Sequence, residues 1–317
     1  MPLFSIVTPV LDMAELISRC IKSVQNQNVD FELIVIDGGS TDGTQSIVES
    51  FNDNRITLIS EPDKGQSDAI NKGLKTSKGQ LFNWLNADDE FTADALKKVA
   101  EGFKGKTEVV VGMCEHIQDG NSVAIGRTHV HPTREHTLSN YSMGQPSQFY
   151  RTDIIKQLGG LNLDLQLAMD MDLWIRYVLE FGTKNVRLLD DTLSRFHLHD
   201  GSKSVAQSDE TDQAKFAMFT ALINAMDAPK WFIEHIESNA SEENLDYDCQ
   251  DLNSEYFLSD FAFKPMQMAY ADGNLNLADK LFSLVNKGDR LSIKEAVAWR
   301  LRTNGASAKL IKTLRGK

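Results

Sequence analysis

Asp88 and Asp89 stand just past the apolar run Phe82-Asn83-Trp84-Leu85, with Asn86-Ala87 before them and Glu90 after. Adjacent carboxylates at the edge of a core are costly unless something cationic meets them, because desolvated charge is expensive. A divalent metal holding a phosphorylated substrate would meet them. A helix N-cap would use them differently, with Asp88 or Asp89 accepting from the free N–H groups of a helix near 92–102. Other acids follow other apolar runs: Asp37 ends Phe31–Ile36 and opens Gly38-Gly39-Ser40, and Glu61-Pro62-Asp63 follows 55–60.

The elements that must place these acids are legible as alternation. Phe4–Val10, Phe31–Ile36, Arg55–Ser60 and Leu81–Leu85 read as buried strands. Asp12 and Glu15 have capping-box spacing ahead of Leu16, Ile17, Cys20, Ile21 and Val24. A second helix is expected through Ile47, Val48 and Phe51, and a third over Gln66–Thr76. Short strands alternating with helices imply a parallel sheet with right-handed crossovers. Ligands of such sheets sit beyond the carboxyl ends of the strands, where Thr8-Pro9, Asp37, Glu61–Asp63 and Asp88-Asp89 all fall.

Past Ala100 the pattern changes. Val109–Met113 and Ser122–Ile125 around Asp119-Gly120 predict an antiparallel hairpin. Thr128–Met143 lacks periodicity and reads as a mobile loop of the kind that covers open sheets. Gln145–Tyr150 is expected to enter a helix ending at Gly159-Gly160, and Asp170 to begin another whose apolar face is Leu173, Trp174, Tyr177 and Val178. Val186–Leu189 and Leu193–His197 read as two closing strands. From Gln207 the spacing is helical, interrupted by an acidic stretch, Ser238–Asp251, that reads as a solvated linker. The last segment, Ser292–Arg315, sets Lys294, Arg300, Arg302, Lys309, Lys312 and Arg315 beside Ile293, Val297, Leu301, Leu310 and Leu314.

Composition narrows the classes. The 317 residues allow one large domain or a main domain with an appendage, and a net charge of −12 argues against general nucleic-acid binding. Three scattered cysteines form no metal spacing and predict free thiols in a reducing cytoplasm. No basic, apolar leader opens the chain, so no signal peptide is expected. No apolar run is long enough for a transmembrane helix, and any membrane contact is expected to be peripheral.

Four linked blocks, in order, carry a resemblance. Ile34–Thr44, Asp63–Gly73, Trp84–Asp89 and the later Met169-Asp170-Met171-Asp172 resemble the family 2 glycosyltransferases over about residues 4–205. The resemblance implies an α/β fold of the GT-A type, a Rossmann-like mixed sheet, here with a C-terminal α-helical appendage. It divides the chain into 1–206, with a nucleotide-binding half 1–100 and an acceptor half 101–206, and a helical region 207–317. It implies an inverting, metal-dependent transfer from a nucleotide-sugar, expected to be a UDP-sugar, to a glycan or lipid-linked acceptor. The expected setting is surface polysaccharide synthesis in the bacterial cytoplasm, at the inner face of the membrane if peripheral contact is made.

Residue roles follow from the same resemblance. Asp37 matches the acid that bonds the base or ribose, or else serves an Asx turn before Gly38-Gly39. Thr8, Pro9 and Val10 would line the nucleotide pocket through backbone groups. Asp68 would contact the nucleotide or order Lys64, with a helix-dipole role as the plain alternative. Asn86-Ala87-Asp88-Asp89 stands at the metal-binding Asp-x-Asp motif with Asn86 in place of the first acid. Asp88 is then the first choice as ligand of Mn²⁺ or Mg²⁺, Asp89 the second, and Asn86 a contact to the sugar or ribose. Asp170 matches the catalytic base, with Asp172 as competitor or helix cap. The acid usual before that Asp is replaced by Met169. His199 matches a histidine near diphosphate and metal, with His197 as a structural rival and Lys203 able to pair with phosphate. Gln145-Pro146-Ser147 would form the acceptor-side loop under the donor sugar.

Two other classes compete. A nicotinamide-dependent oxidoreductase would need Gly-x-Gly-x-x-Gly after the first strand, where the chain has Thr8-Pro9-Val10-Leu11-Asp12. A non-catalytic descendant of the same fold would not need Asp37, Asp88, Asp170 and His199 intact. The basic C-terminal segment is either a membrane-docking helix or a packing helix with a solvated basic face.

Overall fold

The computed structural model describes residues 2–199, 201–202, 206–241, 245–285, 291, 295–296 and 299. By contacts the chain forms two compact units: residues 1–130, 142–218 and 239–244, and residues 131–141, 219–238 and 245–317. The division falls elsewhere than the boundary at 206 read from sequence, inside the helix Ser208–Ala225 (α8), and the second unit also takes up 131–141.

In the first unit, Phe4–Val10 (β1) is buried at every position. A strand covered on both faces reads as a continuous apolar run, which is why it was recognisable. It pairs in parallel with Phe31–Asp37 (β2) and with Leu81–Trp84 (β4), and β2 pairs with Ile56–Ser60 (β3). Helix Ile17–Gln25 (α1) buries Ile17, Cys20, Ile21 and Val24 against this sheet. It opens without a side-chain cap, contrary to the capping-box reading. Asp12 is drawn away instead, accepting from the Thr41 N–H at 2.7 Å. Thr44–Ser50 (α2) and Gln66–Thr76 (α3) follow their strands. Gly73 on α3 is required by packing, because a Cβ there would lie 2.4 Å from a Val7 methyl.

The remaining strands make the sheet mixed. The order is β3-β2-β1-β4-β8-β6-β9-β5 with β7 beside β6, where β5 is Glu90–Phe91, β6 Val109–Gln118, β7 Asn121–Gly126, β8 Gln148–Arg151 and β9 Val186–Leu198. β6 and β7 form the expected antiparallel hairpin. β8, read as the entry to a helix, is a strand running antiparallel to β4 and β6. The two closing strands are one, β9, parallel to β6 and antiparallel to β5. Among the described residues the helices that complete this unit's core are Ala95–Gly102 (α4), Thr152–Gln157 (α6) and Met169–Phe181 (α7). Leu173, Trp174, Tyr177 and Val178 are the buried face of α7, as their spacing requires.

In the second unit, Arg134–Ser139 (α5) is a short helix rather than an irregular lid, started by the Thr133 hydroxyl accepting from the His136 N–H. Its neighbours His136, Ser139 and Asn140 all donate to the buried carboxylate of Asp260, at 3.1, 2.7 and 2.7 Å. Asp260 lies on Ser254–Ala271 (α10), which packs on Leu275–Val285 (α11), and Lys230–Glu237 (α9) precedes them. Tyr247 and Cys249, in the stretch read as a solvated linker, are buried. Most of the basic segment 292–315, and Lys203, lie outside the described residues. No helix among the described residues is long and apolar enough to cross a membrane.

Candidate active site

The strand registers build one rim. Val10 pairs with Asp37, Asp37 with Ser60, and Val7 with Trp84, so the four parallel strands end side by side. Thr8 and Pro9 are buried within β1, and the Thr8 hydroxyl faces the Cys20 sulfur at 3.7 Å, leaving only its backbone toward the rim. Burial pushes the Cys20 thiol up to about 12, so it stays protonated.

Asp37 is fully buried and fully partnered. Its Oδ1 accepts from the Ser40 N–H at 3.0 Å and from the Ser40 hydroxyl, and its Oδ2 from Gln45 at 2.7 Å and Ser60 at 2.6 Å. Burial works to raise its pKa, but these donors prevail and hold the carboxyl below the ordinary range. Asp68, in the first turn of α3, accepts from the Lys64 N–H at 3.0 Å and lies 3.6 Å from Lys72. Asp68 thus orders the turn at Lys64. Gly65 in that turn has φ +117°, which favours glycine, and a Cβ there would strike the Gln166 side chain.

The Asn86–Asp89 turn follows β4 and closes with an Asp89 N–H to Asn86 carbonyl bond of 3.0 Å. Neither acid caps a helix: α4 starts at Ala95, with Asp94 at its N-cap. Asn86 accepts from Gln66 at 2.8 Å, and Ala87 is buried. Antiparallel pairing of β5 with β9 brings the end of β9 past the turn. Asp89, completely buried, accepts from the His197 N–H at 3.1 Å and from Asn86 at 3.4 Å. Burial, and then the Asp88 charge, raise its pKa well above the ordinary value. Asp89, the second choice as a metal ligand, is turned inward by these partners. His197, the structural rival, bonds Glu90 at 3.2 Å.

Asp88 and His199 do meet: Oδ2 and Nε2 are 3.1 Å apart across 111 residues of sequence. Neighbouring ligands about 2.1 Å from an octahedral cation stand about 3.0 Å apart, so a carboxylate oxygen and an imidazole nitrogen at this separation fit one divalent ion. No cluster of three protein ligands exists among the described residues. The pair would therefore leave most positions to phosphate oxygens and water, the usual habit of Mg²⁺ at phosphorylated substrates.

Asp170 opens α7, and the segment before it is held by α3. Ser67 and Asn71 of α3 hold the segment before α7 through the Leu165 carbonyl at 3.1 Å and both backbone groups of Leu161 at 2.8 and 2.9 Å. Ala168, at φ 53°, then turns the chain into α7. Burial raises the pKa of the half-buried Asp170, against backbone N–H groups, its own and that of Met171, and the Lys215 charge, which favour the ionised form. Asp172, its competitor, is spent on structure: Arg176 bonds it at 2.8 and 2.7 Å and also ties down the carbonyls of Leu158 and Gly160. Gln145, from the predicted acceptor loop, donates to the Trp84 carbonyl at 2.8 Å and fixes that loop beside the end of β4.

Sequence reasoning missed Gln45, Ser60, Gln66 and Arg19. The first three had a faint signal, as polar residues next to strand ends. Arg19 had none, since it reads as one polar position of an amphipathic helix.

A mixed sheet with its acids gathered beyond the ends of the parallel strands defines a GT-A fold, and known structures agree. S. aureus TarS in complex with UDP-GlcNAc superposes with TM-score 0.57 at 18% identity, over 89% of this chain and 81% of that one. The mannosyltransferase PcManGT from Pyrobaculum calidifontis, in complex with GDP-Man and Mn²⁺, gives 0.53 at 17% identity, over 98% and 83%. Residues 5–158 match the family model described as glycosyl transferase family 2. A PGL/p-HBAD biosynthesis glycosyltransferase of Mycobacterium bovis (strain BCG / Pasteur 1173P2) is 31% identical over 187 residues, 55% of this chain and 69% of that protein. The chain belongs to glycosyltransferase family 2, enzymes of glycan biosynthesis.

Proposed function

We propose that the protein transfers a sugar, with inversion, from a UDP-sugar to a glycan or lipid-linked acceptor, and that Asp88 and His199 hold a divalent ion beside the donor diphosphate. The observation that carries this reading is the 3.1 Å approach of Asp88 to His199 at the rim where the parallel strands end. Bound Mn²⁺ or Mg²⁺ would supply positive charge to the leaving diphosphate. The structures of TarS with UDP-GlcNAc and PcManGT with GDP-Man and Mn²⁺ make nucleotide-sugars and Mn²⁺ the natural first ligands to try.

The chain's own residues do the rest. The backbone of Thr8, Pro9 and Val10 lines the nucleotide side, and Asp37 meets base or ribose by exchanging one of its hydroxyl partners. Asp68 keeps the Lys64 turn in place, and Asn86 and Ala87 border the sugar. Asp170 takes the proton from the attacking acceptor hydroxyl. A carboxylate with a raised pKa suits that task, because a base works best when its pKa lies nearer the working pH. Asp172 cannot share it while Arg176 occupies its oxygen. The proposed setting is the cytoplasm, with peripheral contact to the inner face of the membrane through the basic C-terminal segment.

A thermal-shift panel of UDP- and GDP-sugars with and without Mn²⁺ tests the reading. A selective ligand at about 100 times its Kd stabilises the fold by about 2.7 kcal/mol. A Mn²⁺-dependent shift with one UDP-sugar is expected. No shift with any donor, and no nucleotide released with any acceptor, would refute it.

A further inference from the structure

Arg19 is the feature of the site that the proposed chemistry leaves unexplained. It projects from α1 and donates through Nη2 to the main-chain carbonyl of Asp88. The guanidinium therefore lies against the Asn86–Asp89 turn, beside the acid pair. Its Nε–H is buried and has no acceptor among the described residues. A buried charged donor left without a partner is destabilising, so this placement is not what fold stability alone would favour.

The acid pair needs help of this kind. Asp89 is completely buried and, among the described residues, receives only the His197 N–H and a long bond from Asn86. Asp88 must keep its side chain toward His199, not toward the nearest internal donor. Nη2, by holding the Asp88 carbonyl, fixes the peptide from which that side chain springs. The same positive charge lowers the cost of two carboxylates side by side.

We propose that Arg19 is a positioning residue for the divalent-ion and diphosphate site: it anchors the Asp88 main chain and offsets the charge of the acid pair, so that Asp88 and His199 stand ready as a pair of ligands. The inference rests on the functional reading above. Partners that orient metal ligands typically change metal affinity about 10–100-fold when removed.

The test is Mn²⁺ affinity, read by EPR in the presence of UDP, for the full chain and its Arg19→Met and Arg19→Lys variants, with circular dichroism to confirm folding. Arg19→Met is expected to bind Mn²⁺ about 10-fold more weakly or worse. Arg19→Lys keeps the charge but loses the rigid guanidinium that aims Nη2 at the carbonyl and should fall between, at least about 3-fold weaker than the wild type. Folded Arg19→Met with wild-type affinity would overturn the inference, even if its Tm fell, because a merely structural role moves stability alone. Should Arg19→Met not fold, Arg19→Lys decides, and wild-type affinity in it would overturn the inference. If the wild type itself binds no Mn²⁺ with UDP, the functional reading falls and takes this inference with it.

Discussion

Asp170 and Asp172 stand two residues apart in the first turn of α7 and meet opposite fates. Asp172 is buried and bonded twice at Oδ2 by Arg176, which also locks the Leu158 and Gly160 carbonyls. Asp170 is half-buried, is met by backbone N–H groups and the Lys215 charge, and has its pKa raised by burial. The same division runs through the rest of the site. Asp37 and Asp89 have donors on both oxygens, whereas Asp88 offers one oxygen to His199. A carboxylate with donors on both oxygens serves the frame, and Asp37 would have to give up a hydroxyl partner to meet base or ribose. The unsaturated ones are left with capacity for a substrate, an ion or a proton.

This division makes graded predictions. The largest effect on stability is expected at Asp172. Replacing it by Ala leaves Arg176 without its carboxylate, and breaking a buried pair costs about 3–5 kcal/mol, which urea denaturation would register as a lower midpoint. A small loss there would erase the contrast. Asp88→Ala should act on the other side of it. Loss of a group that stabilises developing charge costs about 10²–10³ in kcat, while the urea midpoint should move little. A large midpoint shift with normal turnover would place Asp88 in the frame instead.

Asp37→Asn should have an intermediate effect of about 1–3 kcal/mol, because an amide cannot accept on both sides of the turn. The sign with pH sharpens it. Asp37 has a lowered folded pKa, so its contribution is present above the unfolded value of about 3.9 and is lost as pH falls through the folded one. The variant should therefore lose less stability on acidification than the wild type, as followed by urea midpoints from neutral to acid pH. The smallest effect is on the pH–rate profile. The acid limb of kcat/KM should fall at a pH above the ordinary carboxylate range, since Asp170 must be ionised to accept a proton. A limb at the ordinary Asp value would argue against it.

Legibility in the sequence follows the reach of the interactions. β1, β2 and α3 could be read because each is dictated by its own residues, a continuous apolar run or a single apolar face. β8 could not, because Gln148–Arg151 is short and becomes a strand only by pairing with β4 and β6. The Asp12–Glu15 capping box failed because Asp12 found Thr41 in another loop. Asp37 and Asp88 stood out because strand ends mark the rim of such sheets. His199 was named by the resemblance alone and Arg19 not at all: they reach the acid turn from 111 and 69 residues away. Only the register of β9 and the placement of α1 reveal those contacts.

The most direct test of the contrast is thermal unfolding and turnover of Asp170→Asn, measured on the same sample near neutral pH. The raised pKa means that the fold disfavours the charged form, a cost absent below the unfolded value of about 3.9 and fully present above the folded one. Removing the charge with an isosteric amide should leave Tm unchanged or higher, while turnover falls by about 10²–10⁴. A lowered Tm with turnover retained would contradict the account, because Asp170 would then belong with Asp172 in the frame.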